Sequence, residues 1–377
     1  MQQFIEKYIK GDKVIWTVII ILSLYSLVMA YSASSNLAFR IAGGNVVPYL
    51  MKHLIILIMG IVFIIYLRFF NFKYFSRLSQ IGIFVSILLL FITLLFGVNK
   101  GNASRWIMGF QPSDLAKLIL VIYVARMLVY KKMSIKDFKK GLVPILWPIG
   151  LICALILPAD FSTAAMLFLV CFIMLFIGGA KLKHLGAIIG SGLGFFVLLI
   201  LINLALPGLL PRVDTWEKRL LSFESGNKKE NYQAEMAKRA VANGFLFGKG
   251  PGKGHIKNDL YSAQSDFIYA SSIEEFGSLF GGVGIVVLYL ILFFRSIRIM
   301  NNTESSFGSY VVFGLSFMLV FQSLINMGVG VNLFPVTGQP LPLISMGGTS
   351  ILFACISLGI ILNVSRTIYK DSINESV

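Results

Sequence analysis

The chain has 377 residues, is 57% hydrophobic and only 13% charged, and has a mean hydropathy of +0.82. Soluble domains average about 25% charged residues, so this chain has too little charge to cover a water-facing surface, and its solvent is lipid. Its 33 bases and 17 acids give a net charge of +16. The bases lie between apolar runs and not on one soluble face, which excludes a nucleic-acid binder and points to orientation in an anionic membrane.

Ten apolar runs follow one another at 14–33, 48–67, 79–97, 112–130, 143–158, 162–180, 185–206, 275–296, 308–329 and 343–364. A helix crosses a hydrocarbon core of about 30 Å in roughly 20 residues. The expectation is therefore an all-α polytopic membrane protein with ten transmembrane helices in a single domain, 1–377. The first run, led by Lys7, Lys10 and Lys13, is too long for a signal peptide and reads as an uncleaved span. The fifth and sixth runs are separated only by Ala159, Asp160 and Phe161, which predicts a tight helical hairpin. With the N-terminus inside, eighteen Lys and Arg fall in inner connections, against four (Arg40, Lys52, Lys100 and Arg105) in short outer ones. That asymmetry places both termini in the cytoplasm.

The connection 207–272, between the seventh and eighth runs, becomes a large extracytoplasmic loop. It carries ten bases and seven acids, with Trp216, Phe223, Tyr232, Phe245, Phe247 and Tyr261 spread along it. Loops of this length are functional or disordered, and the aromatic content favours order, so chemistry is sought on the outer face. Cys153, Cys171 and Cys355 all lie in apolar runs and read as buried, inert thiols. His53, His184 and His255 are scattered and are assigned neither metal binding nor catalysis.

Asp266 stands where the outer loop meets the eighth run, with Glu274 and Glu275 close behind. A carboxylate there can be a general base or, equally, a helix cap. Asp114 and Lys117 follow Pro112, which suits a first helical turn, and three residues apart they share a helix face. They read either as a packing ion pair or as a functional pair inside a span, as does Asp160 in the hairpin. The segment Gly248-Lys249-Gly250-Pro251-Gly252-Lys253-Gly254 fails the phosphate-loop pattern, since neither lysine precedes Ser or Thr. It remains a basic turn whose backbone N–H groups can meet an anion. Gly277 with Gly281, and Gly347 with Gly348, read as close helix packing.

The run from Gly338-Gln339-Pro340-Leu341-Pro342-Leu343 to Ser345-Met346-Gly347-Gly348-Thr349-Ser350, after Asn326-Met327-Gly328, resembles the C-terminal signature of the SEDS family (FtsW, RodA, SpoVE). Ser104-Arg105-Trp106, Gln111-Pro112-Ser113-Asp114 with Lys117, Asp160 with Thr163, and Tyr232-Gln233 through to Ser265-Asp266-Phe267-Ile268 agree in order. The run from Tyr232 to Gly252 and Gly179-Ala180-Lys181-Leu182 lean toward the family's division member over its elongation member.

The resemblance implies a peptidoglycan glycosyltransferase that polymerises lipid II at the outer face of the bacterial cytoplasmic membrane, at the division septum. A class B penicillin-binding protein and other division proteins are the implied partners. Asp266 takes the place of the catalytic aspartate. Substrate contacts are implied for Arg105, Asp114, Lys117, Asp160 and Lys249. Further contacts are implied for Tyr232, Gln233, Gln264, Ser265, Glu275, Ser345, Gly347 and Gly348. The family's Glu before Lys117 is Asp114 here, and its Thr before the aspartate is Ser265. A divalent cation, Mg²⁺ or Mn²⁺, is compatible with a pyrophosphate leaving group but has no dedicated protein ligands in the sequence. A lipid II flippase, a non-catalytic division scaffold and the elongation polymerase are the rival readings.

Overall fold

The computed structural model describes residues 11–41, 45–67, 69–100, 103–107, 109–205, 232–256, 260 and 263–374. Lys7, Lys10 and Arg68 lie outside these residues, as does most of the outer loop, including Trp216, Phe223 and Tyr261.

The apolar runs become helices α1 (Lys13–Ile41), α2 (Val47–Leu67) and α3 (Lys73–Phe96), then α4 (Pro112–Tyr130), α5 (Val143–Ile156), α6 (Phe161–Ile177) and α7 (Leu182–Ala205). After the loop helix α8 (Tyr232–Gly244) come α9 (Ile268–Gly277), α10 (Ile285–Asn302), α11 (Ser306–Gly330) and α12 (Gly348–Asn374). Eight described helical stretches are long and apolar enough to cross a membrane, so the chain is a polytopic, all-helical membrane protein. The helix at 112–130 falls outside that set because it carries Asp114, Lys117 and Arg126, and α6 because it is only 17 residues long. The three cysteines are free, two of them buried.

Local chemistry sets several boundaries. Pro112 occupies the first turn of α4, where its missing N–H costs nothing. The hairpin between α5 and α6 forms as expected, with the Asp160 carboxylate capping α6 by accepting from Thr163 N at 3.1 Å. A π-helical turn, Phe138–Leu142, extends α5 backward, and the Asp137 side chain caps it. The Lys140 backbone N–H at that cap holds the Asp137 carboxyl below its ordinary range. A short antiparallel β-hairpin that the hydropathy pattern does not signal, β1 (Val98–Lys100) and β2 (Ala103–Trp106), links α3 to α4 and carries Arg105 and Trp106.

The bundle is organised around α11, which packs against α4, α6, α10 and α12. Most of its membrane-crossing length, 78%, is buried in protein, against 12% for peripheral α7. The helix α11 therefore reads to its neighbours as a protein core, while α7 presents its side chains to lipid.

Residues 268–302 do not form one long helix. Gly277 adopts φ +79°, and a π-helical segment, Ser278–Gly284, follows it into α10. Ser272 Oγ donates to the Gly281 carbonyl at 2.9 Å. In a straight helix those residues would stand about 13 Å apart along the axis, so the chain folds back on itself at Gly277. A Cβ on Gly281 would collide with the Ser272 carbonyl, and one on Gly277 with the Leu246 carbonyl. The close approach at Gly281 is thus made within its own segment and that at Gly277 to the turn after α8, so the expected close packing of these glycines is a tight corner and not a helix–helix contact. The helix also begins at Ile268, inside the polar stretch that hydropathy leaves in the loop.

Candidate active site

Asp266 lies at the entry to α9, and the three carbonyls before that helix are each tied to a later part of the chain. Gln264 O accepts from Met346 N at 2.9 Å, Ser265 O from Ser345 Oγ at 2.7 Å, and Asp266 O from Asn326 Nδ2 at 3.0 Å. Asn326 Nδ2 also donates to Gln339 O at 2.7 Å, and Ser345 Oγ accepts from Leu341 N at 2.8 Å. One amide and one hydroxyl therefore clamp the Asp266 segment to the connection 331–347.

The second half of that connection is irregular backbone buried within the bundle: Gln339, Leu341, Leu343, Ile344 and Ser345 are all buried. Its polar groups need partners there. Beyond Asn326 and Ser345, Gln322 Nε2 donates to Pro340 O at 2.8 Å, and the Tyr289 hydroxyl bonds Pro342 O. Leu343 is held at φ +66°, a conformation unfavourable for a branched residue.

Above this floor sits the charged cluster. Arg105 Nε donates to Ala159 O at 2.9 Å, and its Nη1 lies 3.4 Å from Asp160 Oδ2. Asp160 is buried and also accepts from Gln339 Nε2 at 3.3 Å, while Gln339 donates to Thr163 Oγ1 at 2.6 Å. Gly338, at φ +72°, leaves a small space: a Cβ there would stand 3.7 Å from Arg105 Nη1 and 3.9 Å from Asp266 Oδ2. The guanidinium and the Asp266 carboxylate therefore border the same point. Asp266, Arg105, Asp160, Gln264, Ser265 and Ser345 come together, although they are spread over some 240 positions of sequence.

Asp114 and Lys117 form a closed pair at 2.9 Å, both buried. Thr349 Oγ1 donates to Asp114 at 3.0 Å and Lys117 Nζ donates to Gln322 at 3.4 Å. Because Gln322 is one turn before Asn326 on α11, the pair sits about 6 Å deeper along that helix than the Asp266 clamp. The shorter Asp closes the contact fully. Gly347 and Gly348 form the turn that opens α12.

Lys249 and Glu275 belong to a different assembly, formed with Glu274 and the glycine-rich turn. Glu274 and Glu275 are 0% and 1% exposed. Glu274 Oε1 accepts from His255 N and Ile256 N at 3.0 and 3.3 Å and meets Lys249 Nζ at 3.5 Å. Glu275 accepts from Gly252 N at 3.0 Å and from Ser32. The glycine-rich turn is an anion nest, and its anions are the chain's own carboxylates. Tyr232 and Gln233 open α8 and form no hydrogen bond to a described site residue; Tyr232 is exposed. Asn326, Gln339, Gln322 and Thr349 are buried polar residues of this network that spacing alone does not single out. Their sequence signal is polarity inside or beside an apolar run, joined for Asn326, Gln339 and Thr349 by their place in the stretches that carry the family resemblance.

Comparison with known proteins agrees over nearly the whole chain. A family model described as "Cell cycle protein", that of FtsW, RodA and SpoVE, matches residues 12–370. The probable peptidoglycan glycosyltransferase FtsW of Geobacter sp. (strain M18) is 32% identical over 368 residues, covering 94% of this chain and 96% of that protein. Stage V sporulation protein E of Bacillus subtilis (strain 168) is 31% identical over 368 residues, covering 94% and 97%. Among solved structures, a chain from a peptidoglycan synthase complex that coordinates polymerization and crosslinking matches with a TM-score of 0.74 at 25% identity, over 96% of this chain and 99% of that one. The rod shape determining protein RodA of Thermus thermophilus shares the fold, with a TM-score of 0.66 at 23% identity over 95% and 98%. With its fold and its length both matched, the chain belongs to the FtsW/RodA/SpoVE family of cell cycle proteins.

Proposed function

We propose that this chain is a peptidoglycan glycosyltransferase that polymerises lipid II, a disaccharide-peptide carried on a polyprenyl pyrophosphate, during septal wall synthesis. In this reading ten helices cross the membrane, both termini are cytoplasmic, and Asp266 works at the outer face. A class B penicillin-binding protein stands beside it and crosslinks the product.

The observation that carries the proposal is the fixed placement of the Asp266 carboxylate beside Arg105 over the space at Gly338. Asp266 takes the proton from the acceptor sugar's hydroxyl as that oxygen bonds to the donor's anomeric carbon. The anomeric C–O bond breaks, and its electron pair departs with the polyprenyl pyrophosphate. Attack from the face opposite the leaving group inverts the configuration. The Arg105 guanidinium supplies positive charge where negative charge develops, while Asp160 and the Ala159 carbonyl hold its orientation. The described residues offer no group of three His, Cys, Asp or Glu for a metal, so a divalent cation would ride on the substrate's phosphates, and no step is assigned to it.

Purified protein with its partner should convert labelled lipid II to polymer. Asp266→Asn should slow this by about 100-fold or more, the usual scale for losing a general base, while leaving the bundle folded. Polymer formed at the original rate by that variant would overturn the proposal. Movement of labelled lipid between leaflets that survives Asp266→Asn, without polymer, is what a transporter would give.

A further inference from the structure

The connection 131–142, between α4 and α5 on the face assigned to the cytoplasm, is folded and not slack. Ile135 is buried, Asp137 N donates to Ser134 O at 2.8 Å, and a Cβ on Gly141 would collide with the Ser134 carbonyl. The Phe138 ring meets His184 with centroids 5.3 Å apart, which joins this connection to the one between α6 and α7. The two connections therefore display their bases from one fixed platform.

Five lysines are exposed on it: Lys136, Lys139 and Lys140 from the first connection, Lys181 and Lys183 from the second. None of their ammonium groups has an ion pair or hydrogen bond among the described residues. Arg126, just before them on α4, is by contrast engaged with the Ser76 carbonyl at 2.8 Å. Asp137 is the one acid in 131–142 and 178–184, and its carboxylate accepts from Lys140 N at 3.1 Å. The platform thus carries an excess of positive charge that the protein itself leaves uncancelled.

An apolar surface adjoins these bases. Val143 and Trp147 are exposed one turn apart on α5, and Leu182 and Ile189 are exposed two turns apart on α7. Little protein holds α7, since only 12% of its span is buried. Its buried apolar side chains among the described residues, Leu185 and Ile188, both lie in its first two turns. Attachment of α7 is therefore concentrated at the end where the lysines gather.

We propose that this platform is a binding site for an anionic phospholipid of the inner leaflet. Its phosphate meets Lys139, Lys140, Lys181 and Lys183, and its acyl chains cover the exposed sides of α5 and α7. An ammonium is a point charge suited to phosphate oxygens, and basic pockets between helices on the cytoplasmic side suit anionic headgroups. An acidic protein segment would satisfy the lysines but leave Val143, Trp147, Leu182 and Ile189 uncovered, so the adjoining apolar surface favours a lipid. Seated there, the lipid braces the start of α7 against α5, a junction otherwise bridged by Phe138 and His184.

The full-length protein in detergent is titrated with fluorescent cardiolipin, phosphatidylglycerol and phosphatidylcholine. The wild type should bind either anionic lipid about 10-fold or more tightly than phosphatidylcholine, the scale expected of several bases around one phosphate. The quadruple variant Lys139→Gln, Lys140→Gln, Lys181→Gln, Lys183→Gln should lose that preference. A matched quadruple, Lys13→Gln, Lys73→Gln, Arg77→Gln, Arg298→Gln, removes the same charge elsewhere on that face and should keep it. Unchanged phosphatidylcholine binding in both is the control for folding. Anionic lipid should also slow amide exchange over 182–190 in the wild type and in the matched variant, and not in the first. No preference in the wild type, or equal loss in the two quadruples, would overturn the site. Glycerol phosphate displacing the probe as readily as phosphatidylglycerol would overturn its assignment to a lipid, and a polyglutamate peptide doing so would give the lysines to an acidic protein. Exchange unaffected by a lipid that binds would overturn the bracing of α7.

Discussion

Two stretches of irregular backbone, Gly248–Gly254 and the connection 331–347, meet the same requirement with different partners. Both leave N–H and C=O groups without a helix or sheet to pair them. The glycine-rich stretch turns Gly252 N onto the Glu275 carboxylate and Lys249 N and Gly250 N onto the Glu274 and Glu275 carbonyls, and His255 N and Ile256 N just beyond it meet the Glu274 carboxylate. The connection 331–347 is instead held by neutral side chains, Asn326, Gln322, Ser345 and Tyr289. Charge in the first region is cancelled internally, whereas the second region leaves a carboxylate and a guanidinium facing one space. A motif that looks like a phosphate cradle is thus a brace, and a proline-rich connector is the floor of the candidate active site.

Perturbing these two regions should separate stability from activity. The largest effect is expected for Lys117→Met, which strands Asp114 in the bundle beneath the second region. Breaking a buried pair costs about 3–5 kcal/mol, read as a lower apparent melting temperature in detergent. Adding Asp114→Asn should recover much of that loss, and a double variant as unstable as the single would show that the pair itself is not the cause. Next comes Asn326→Leu, which deprives the Asp266 and Gln339 carbonyls of their shared donor. Each buried orphan costs about 1–3 kcal/mol, offset in part because Asn326 Oδ1 is already unpaired. Its polymerisation rate should fall more than its melting temperature does.

Gly338→Ala should follow at about 1–2 kcal/mol, the penalty for a side chain in the left-handed region. Because the new methyl also enters the space between Arg105 and Asp266, turnover should suffer beyond that strain, as comparison of kcat with melting temperature would reveal. The smallest effect belongs to the first region. Lys249→Met removes a cation that is one-third exposed, and Glu274 Oε1 keeps two backbone donors. A loss below about 1 kcal/mol is expected, with polymerisation near the original rate. A collapse of activity in that variant would place Lys249 at the substrate after all.

Much of the bundle is legible from apolar periodicity and from local stops. The fourth helix runs over 112–130 as its sequence predicts, and Asp160 both ends a hairpin and caps α6. Where legibility fails, the cause is tertiary. Ser271, Ser272, Glu274 and Glu275 depress the hydropathy of 268–277 and make it look like loop, yet all four are buried, Ser272 against Tyr25 and the Gly281 carbonyl and the two glutamates against Ser32 and the turn after α8. Asp266 and Arg105 are singled out by residue type and family resemblance, but their convergence over Gly338 depends on bonds between residues 54 to 179 positions apart.

The fold-back at Gly277 bears on how the protein is made. With only 10 residues, α9 is too short to cross a bilayer unaided, so no insertion step driven by its own hydropathy can place it. The Asp266 segment that leads into it is held by Asn326, Ser345 and Met346, all of which leave the ribosome after it. A nascent chain that has released everything through α10 therefore already contains Asp266, Arg105 and Asp160 and still has no assembled site. Catalytic competence arrives only when the final third of α11 and the connector behind it have docked, which makes activity a report on completed synthesis.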